Sequence, residues 1–244
     1  MLSVSFNDGT ASRVLANLHE VLGEVWLEFS EEALRFTGLN QSHTVFIEAS
    51  LAYAEVEYDD NVSLPFRIGV DTDFLGKVVK RVGKSFEIVI DDDNEMSVKT
   101  STSNGERSFN IPSIDISYEQ TQPPEINSET KIELPVDWFK ESLKDLGLVT
   151  KQAVNFNFEN QELELSASND YGTNKITSKY QEDISYNFPF RIGYSIDLLN
   201  DTLRFAFTDT MRMECDEGRP GIFIYENESD KVQFMIAPRV GEEY

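Results

Sequence analysis

The sequence predicts an α+β protein made of two copies of one domain. Three observations predict it. Pro-Phe-Arg-Ile-Gly occurs at 65–69 and again at 189–193, 124 residues later in a chain of 244. Alternating runs of the strand type outnumber amphipathic runs of the helix type. Both halves also present these runs in the same order: helix, strand pair, further strands, second helix, final strands. Five identical residues in matching contexts mark an internal duplication.

In the first half, Thr10 to Leu22 predicts a helix. Val14, Leu15, Leu18, Val21 and Leu22 lie on one face, opposite Arg13, Asn17 and His19. Trp26–Phe29 and Leu34–Phe36 alternate across the polar turn Ser30-Glu31-Glu32 and predict paired strands. Thr44–Ser50 predicts another strand. The spacing over 71–84 predicts a second helix with Phe74, Leu75, Val78, Val79 and Val82 on its apolar face. Asp71 and Asp73 stand in its first turn, where carboxylates favour a helix N-terminus. Phe86–Ile90 and Met96–Thr100 predict strands joined by the turn Asp91-Asp92-Asp93-Asn94-Glu95. That turn lacks the glycine and the distal glutamate of an EF-hand loop. Residues 117–130 are polar and contain Pro123-Pro124, so an extended linker is expected there. The implied division is a domain at 1–116, a linker at 117–130 and a domain at 131–244. The second half repeats the pattern: strands at Ile132–Leu134, Val154–Phe158, Leu163–Leu165 and Lys175–Lys179, and helices at Val136–Gly147 and Tyr194–Arg204. Phe205–Thr208, Arg212–Cys215, Ile222–Tyr225 and Val232–Ala237 predict the last strands.

Lys and Arg total 21 against 44 Asp and Glu, a formal net charge of -23. That excess argues against a protein that grips phosphates over its whole outer surface. The cations are not evenly spread, however. Lys77, Lys80, Arg81 and Lys84 form one stripe on the second helix, where like charges repel at i,i+3 and i,i+4. A polyanion on that side would relieve the repulsion, whereas a merely solvated face leaves it in place. In the third helix Lys140 and Lys144 stand beside Asp137, Glu141 and Asp145, and the fourth has only Arg204 with Asp197 and Asp201. A single cysteine, Cys215, excludes an intrachain disulfide framework and fits a reducing cytosol. Neither a leader pattern nor an apolar run of ~20 residues is present, so no membrane partner is expected. The only histidines are His19 and His43, and no metal, cofactor or nucleophile motif occurs. Catalysis is therefore not expected, nor a cofactor, nor a metal.

Several ordered pieces resemble the DNA sliding clamps of the proliferating-cell-nuclear-antigen (PCNA) family, in particular the archaeal type. Phe-Met-Ile-Ala-Pro-Arg-Val at 234–240 resembles the closing strand of that family, and Gly38-Leu39-Asn40-Gln41-Ser42-His43 its loop ending in Ser-His. Asp73 to Lys80 matches a helix with two family lysines, and Gln122-Pro123-Pro124-Glu125 is similar to the interdomain linker. The resemblance implies a clamp fold of two similar domains, each with two helices packed on antiparallel sheets. It implies three subunits closed around duplex DNA, as a homotrimer or a heterotrimer with paralogous clamps. Arg13, His19, Lys77, Lys80, Arg81, Lys84, Lys140 and Lys144 would face the DNA. Leu39, His43, Thr44, Phe46, Pro123, Pro124, Ile126, Pro220, Met235, Ile236, Ala237 and Pro238 would form a pocket for partner peptides. Strands at about Arg107 to Asp115 and Lys175 to Tyr180 would pair between subunits, with Arg107, Phe109, Ile111, Lys175 and Lys179 at the interface. Clamp loader, DNA polymerase, flap endonuclease and ligase are the implied partners, in the nucleoid-associated cytoplasm of a prokaryote. Two rival readings stand beside it: a specialised subunit active only in a heterotrimer, and an acidic peptide-binding scaffold that encloses no DNA.

Overall fold

A computed structural model describes residues 1–60, 62–103, 105–117, 125–168, 175–180, 184 and 186–239. Its contacts divide the chain into two units, Met1–Pro123 with Asn227–Val232, and Pro124–Glu226 with Gln233–Tyr244. The first unit begins with β1 (Leu2–Phe6), α1 (Thr10–Asn17) and a 3-10 turn at Leu18–Glu20. Strands β2 (Glu24–Phe29), β3 (Ala33–Leu39), β4 (Val45–Ala52), β5 (Glu55–Tyr58) and β6 (Phe66–Asp71) follow. Then come α2 (Thr72–Val82), β7 (Phe86–Ile90), β8 (Met96–Thr102) and β9 (Gly105–Ile111). The second unit holds β10 (Thr130–Pro135), α3 (Val136–Leu146), β11 (Ala153–Glu159), β12 (Glu162–Ser168), β13 (Lys175–Tyr180) and β14 (Phe190–Ser195). It continues with α4 (Ile196–Leu203), β15 (Thr210–Cys215) and β16 (Gly221–Glu226), and β17 (Lys231–Ile236) begins in the first unit and belongs to the second from Gln233.

The duplication is visible in strand order. In the first unit one sheet runs β5-β1-β7-β8-β9, and another stretch runs β4-β3-β2-β6. In the second the corresponding orders are β10-β15-β16-β17 and β13-β12-β11-β14. The registered pairs are antiparallel, as hairpin connections require. The repeated pentapeptide has one job in both copies. The Gly69 carbonyl accepts from the Ile114 amide at 2.9 Å, and the Gly193 carbonyl from the Arg239 amide at 2.8 Å. Each Pro-Phe-Arg-Ile-Gly strand thus receives a segment from the end of its own half.

Period-two burial marks β1 and β2. Leu2, Val4 and Phe6 of β1 point inward between Ser3 and Ser5, and Val25, Leu27 and Phe29 of β2 do the same. Aromatic rings fill the second core. Phe156 lies 5.3 Å from Tyr194, 6.2 Å from Phe139 and 6.4 Å from Phe223, between centroids.

Several sequence expectations are corrected. Phe205–Thr208 is no strand: the Phe205 and Ala206 amides bond back to Thr202 and Leu203, continuing the end of α4. Phe205 is buried as an anchor, its ring 5.0 Å from Phe234. The first helix tightens to a 3-10 turn after Asn17. The later helices begin at Thr72 and Ile196, because Val70, Asp71, Tyr194 and Ser195 are held in strand pairing. The edge strand expected at Arg107 to Asp115 spans Gly105–Ile111. Ser113 forms an isolated bridge with Val70.

Candidate nucleic-acid interface

Helix α2 is built from both ends. The Asp71 side chain caps it by accepting from the Phe74 amide at 2.7 Å. The Thr72 amide bonds to the Gly23 carbonyl at 3.1 Å, and its hydroxyl donates to the Leu22 carbonyl. Gly83, at φ 88°, ends the helix with its amide on the Val79 carbonyl. Leu75, Gly76, Val78 and Val79 are buried. Gly76 permits the close approach of α1, since a Cβ there would stand 3.0 Å from the Ala16 carbonyl oxygen.

Phe74 departs from the expected apolar face. It is 43% exposed, because it lies at the margin of the buried stripe, about 20° from Arg81 around the helix. Lys77, Lys80, Arg81 and Lys84 are all exposed. Lys77 is 2.5 Å from Asp73. Its ammonium lowers the Asp73 carboxyl pKa, with His19 and Lys80 adding to the effect, and is itself raised by Asp73. Lys80, Arg81 and Lys84 form no ion pair with a described residue. Arg13 is exposed on α1. His19 is partly buried, with Nε2 3.5 Å from Glu20. Its Nδ1 is buried and finds no hydrogen-bond partner among the described residues.

The helices of the second unit differ. Lys140 and Lys144 are exposed on α3 among exposed Asp137, Glu141 and Asp145, and Lys144 stands 3.6 Å from Glu141. Helix α4 carries Asp197 and Asp201 and no cation, and Arg204 beyond it lies 3.5 Å from Asp201.

The expected pocket residues lie in both units. In the first, Asn40 organises the loop before β4: its carboxamide oxygen accepts from the Thr44 and Val45 amides at 2.8 and 3.0 Å. His43 sits in that loop, exposed, at φ 57°. Leu39 and Thr44 are partly exposed, and Phe46 is buried at 3% exposure. In the second unit Ile126, Pro220, Ala237 and Pro238 are partly exposed, while Met235 and Ile236 are buried. Pro123 and Pro124 lie outside the described residues.

Strand β9 is one edge of its sheet and β13 one edge of the four-stranded sheet. On β9, Arg107 is exposed, Phe109 is half-buried and Ile111 is buried. On β13, Lys175 is 3.7 Å from Glu164 and Lys179 is 3.2 Å from Glu162, so both ammoniums engage their own sheet. Helix α3 backs this edge through Ser142 and Ser178, whose hydroxyls are 2.6 Å apart, and through Trp138 on Tyr180.

The other candidates for chemistry are structural. Cys215 is buried, and burial, aided by Asp216, pushes its thiol pKa well up. The Asp91–Glu95 stretch is a turn in which Asp91 accepts from the Asp93 and Glu95 amides. No group of metal-binding side chains occurs among the described residues, and no described helix is long and apolar enough to cross a membrane.

No protein-family model matches the chain. It is 28% identical over 248 residues to the DNA polymerase sliding clamp of Methanothermobacter thermautotrophicus, covering 100% of both chains. With the DNA polymerase sliding clamp of Thermococcus gammatolerans it shares 24% identity over 94% of both. The PCNA crystal structure from Entamoeba histolytica superposes with a TM-score of 0.85 at 18% identity, covering 98% of this chain and 99% of that one. The PCNA2–PCNA3 complex from Sulfolobus tokodaii gives 0.83 at 23% identity, covering 97% and 99%. The fold is the α+β clamp fold of PCNA. The resemblance to archaeal sliding clamps read from four short motifs extends over the whole chain.

Proposed function

We propose that this chain is a subunit of a ring-shaped DNA sliding clamp, a processivity factor that encircles duplex DNA and tethers DNA polymerase. The whole-length correspondence with a DNA polymerase sliding clamp carries the reading, since it leaves neither chain a region unmatched. The work asked of such a protein is mechanical. Enclosure keeps the ring on DNA, while a few screened phosphate contacts position it without reading sequence. The exposed cations of α2 suit that role, and tighter contacts would arrest sliding. No catalytic step is required. The clamp loader, flap endonuclease and ligase are the further partners of this reading, reached through short peptides, in the cytoplasm of a prokaryote. Edge strands β9 and β13 supply the unpaired ladders that subunit pairing needs. In the isolated chain Lys175 and Lys179 stand beside carboxylates of their own sheet.

A second reading is a subunit that works only with paralogues. The unequal helix charge of the two units favours it. The test is polymerase stimulation on primed circular DNA. The unaltered chain, alone or with paralogous clamps, should stimulate synthesis. Replacing Lys77, Lys80, Arg81 and Lys84 by Ala should abolish stimulation and leave partner-peptide binding intact. Full stimulation by that variant would reduce the stripe to a solvated face.

A further inference from the structure

We infer that duplex DNA is contacted through the helices of the first unit alone, and that the exposed face of α3 and α4 repels it. The inference rests on the sliding-clamp reading, in which helices of both units face the DNA. Within Thr72–Val82 there are three cations, Lys77, Lys80 and Arg81, and one carboxylate, Asp73. Asp73 forms its ion pair with Lys77. Lys80 and Arg81, with Lys84 beyond the helix, are left to meet phosphates.

On α3 the balance is reversed. Lys140 and Lys144 share Val136–Leu146 with Asp137, Glu141 and Asp145, and all five are exposed. At 100° per residue they occupy a single arc of about 140°, the two ammoniums at one end of it and the three carboxylates directly beside them. A phosphate that reaches Lys140 or Lys144 therefore stands within one turn of at least two carboxylates. That is closer than the screening length of about 8–10 Å, so repulsion is felt together with attraction. Lys144 is partly answered already by Glu141 at 3.6 Å. Helix α4 adds Asp197 and Asp201 with no cation, and its following Arg204 is drawn to Asp201. Each subunit then offers DNA one attractive helix pair and one repulsive one. Such an arrangement weakens the total grip, as sliding demands, without removing the contacts that position the ring.

The experiment is an NMR titration of the assembled protein with a short DNA duplex at low salt, with salt dependence measured on variants. Amides of α1 and α2 should shift and those of α3 and α4 should not. Lys140→Ala with Lys144→Ala should change affinity by less than about twofold, whereas Lys80→Ala with Arg81→Ala should weaken it by about tenfold and reduce the salt slope. Neutralising Asp137→Asn, Glu141→Gln, Asp145→Asn and Asp197→Asn together should tighten binding by about threefold or more and steepen the slope. Shifts in α3 or α4 matching those of α2, equal losses from the two alanine pairs, or no gain from neutralisation would each overturn the inference. Retention on circular but not linear DNA reports the clamp reading separately. Retention together with any overturning pattern sinks this inference alone, and no retention removes both.

Discussion

Gly69 and Gly193 hold the same place in the two pentapeptide copies, yet they tolerate a side chain differently. A Cβ on Gly69 would collide with the Ile114 carbonyl oxygen, a backbone atom held by the Ile114–Gly69 hydrogen bond. At Gly193 the nearest atom is the Asn155 carboxamide oxygen at 3.2 Å, which can rotate away. Gly69→Ala should therefore lower unfolding free energy by about 1–3 kcal/mol, and Gly193→Ala by less than about 1, in denaturant titration. Equal losses would show that the Ile114 contact is not the cause. Asp230 carries a pH-dependent effect. It is 4% exposed and accepts from the Ala52 amide at 2.9 Å. Burial raises its carboxyl pKa and Asp8 adds to the rise, against the opposing Ala52 and Asn227 hydrogen bonds. A raised folded pKa means a contribution to stability that is full below the unfolded value of about 3.9 and is lost as pH rises through the folded one. Asp230→Asn should then raise the melting temperature at neutral pH, with the gain shrinking as pH falls toward 4. A gain that grows on acidification would contradict the assignment.

Helix α2 shows what an element needs beyond periodicity. Its apolar repeat and acidic first turn are plain in the sequence, and the helix forms within the expected span, over Thr72–Val82. Its N-terminal boundary is set by Asp71, which is both the last residue of β6 and the cap. Asp71→Ala should cost about 1 kcal/mol of stability, read from chemical denaturation, while Asp71→Asn should cost little. An equal loss for both would implicate charge rather than the cap. Strands were legible where alternation ran over several residues, as in β2, β4 and β11. Phe205–Thr208 misled because one deeply buried aromatic gave an apolar signal to a turn. Strands β1, β5, β6 and β14 have no counterpart among the strands the sequence predicts, because runs of four to six residues give a weak periodic signal. Spacing puts Phe74 on the apolar face, yet it stays 43% exposed at the margin of the buried stripe.

At the scale of the molecule, the net charge of -23 and the α2 stripe coexist because the cations are few and gathered. Light scattering should give about three times the 27.8 kDa of one chain, either alone or after mixing with paralogous clamps. A monomer under both conditions would remove the ring. The sequence by itself determined the duplication, the α+β class, the charge asymmetry between helices and the absence of recognisable catalytic motifs. Each is a property of local pattern or composition, and each survives without knowledge of long-range contacts. Only the tertiary structure decided which strands lie at sheet edges, which carboxylates answer which ammoniums, and why one repeated glycine tolerates a methyl group better than the other. Those depend on residues far apart in the chain, Gly69 with Ile114 or Ala52 with Asp230, whose meeting no local spacing encodes.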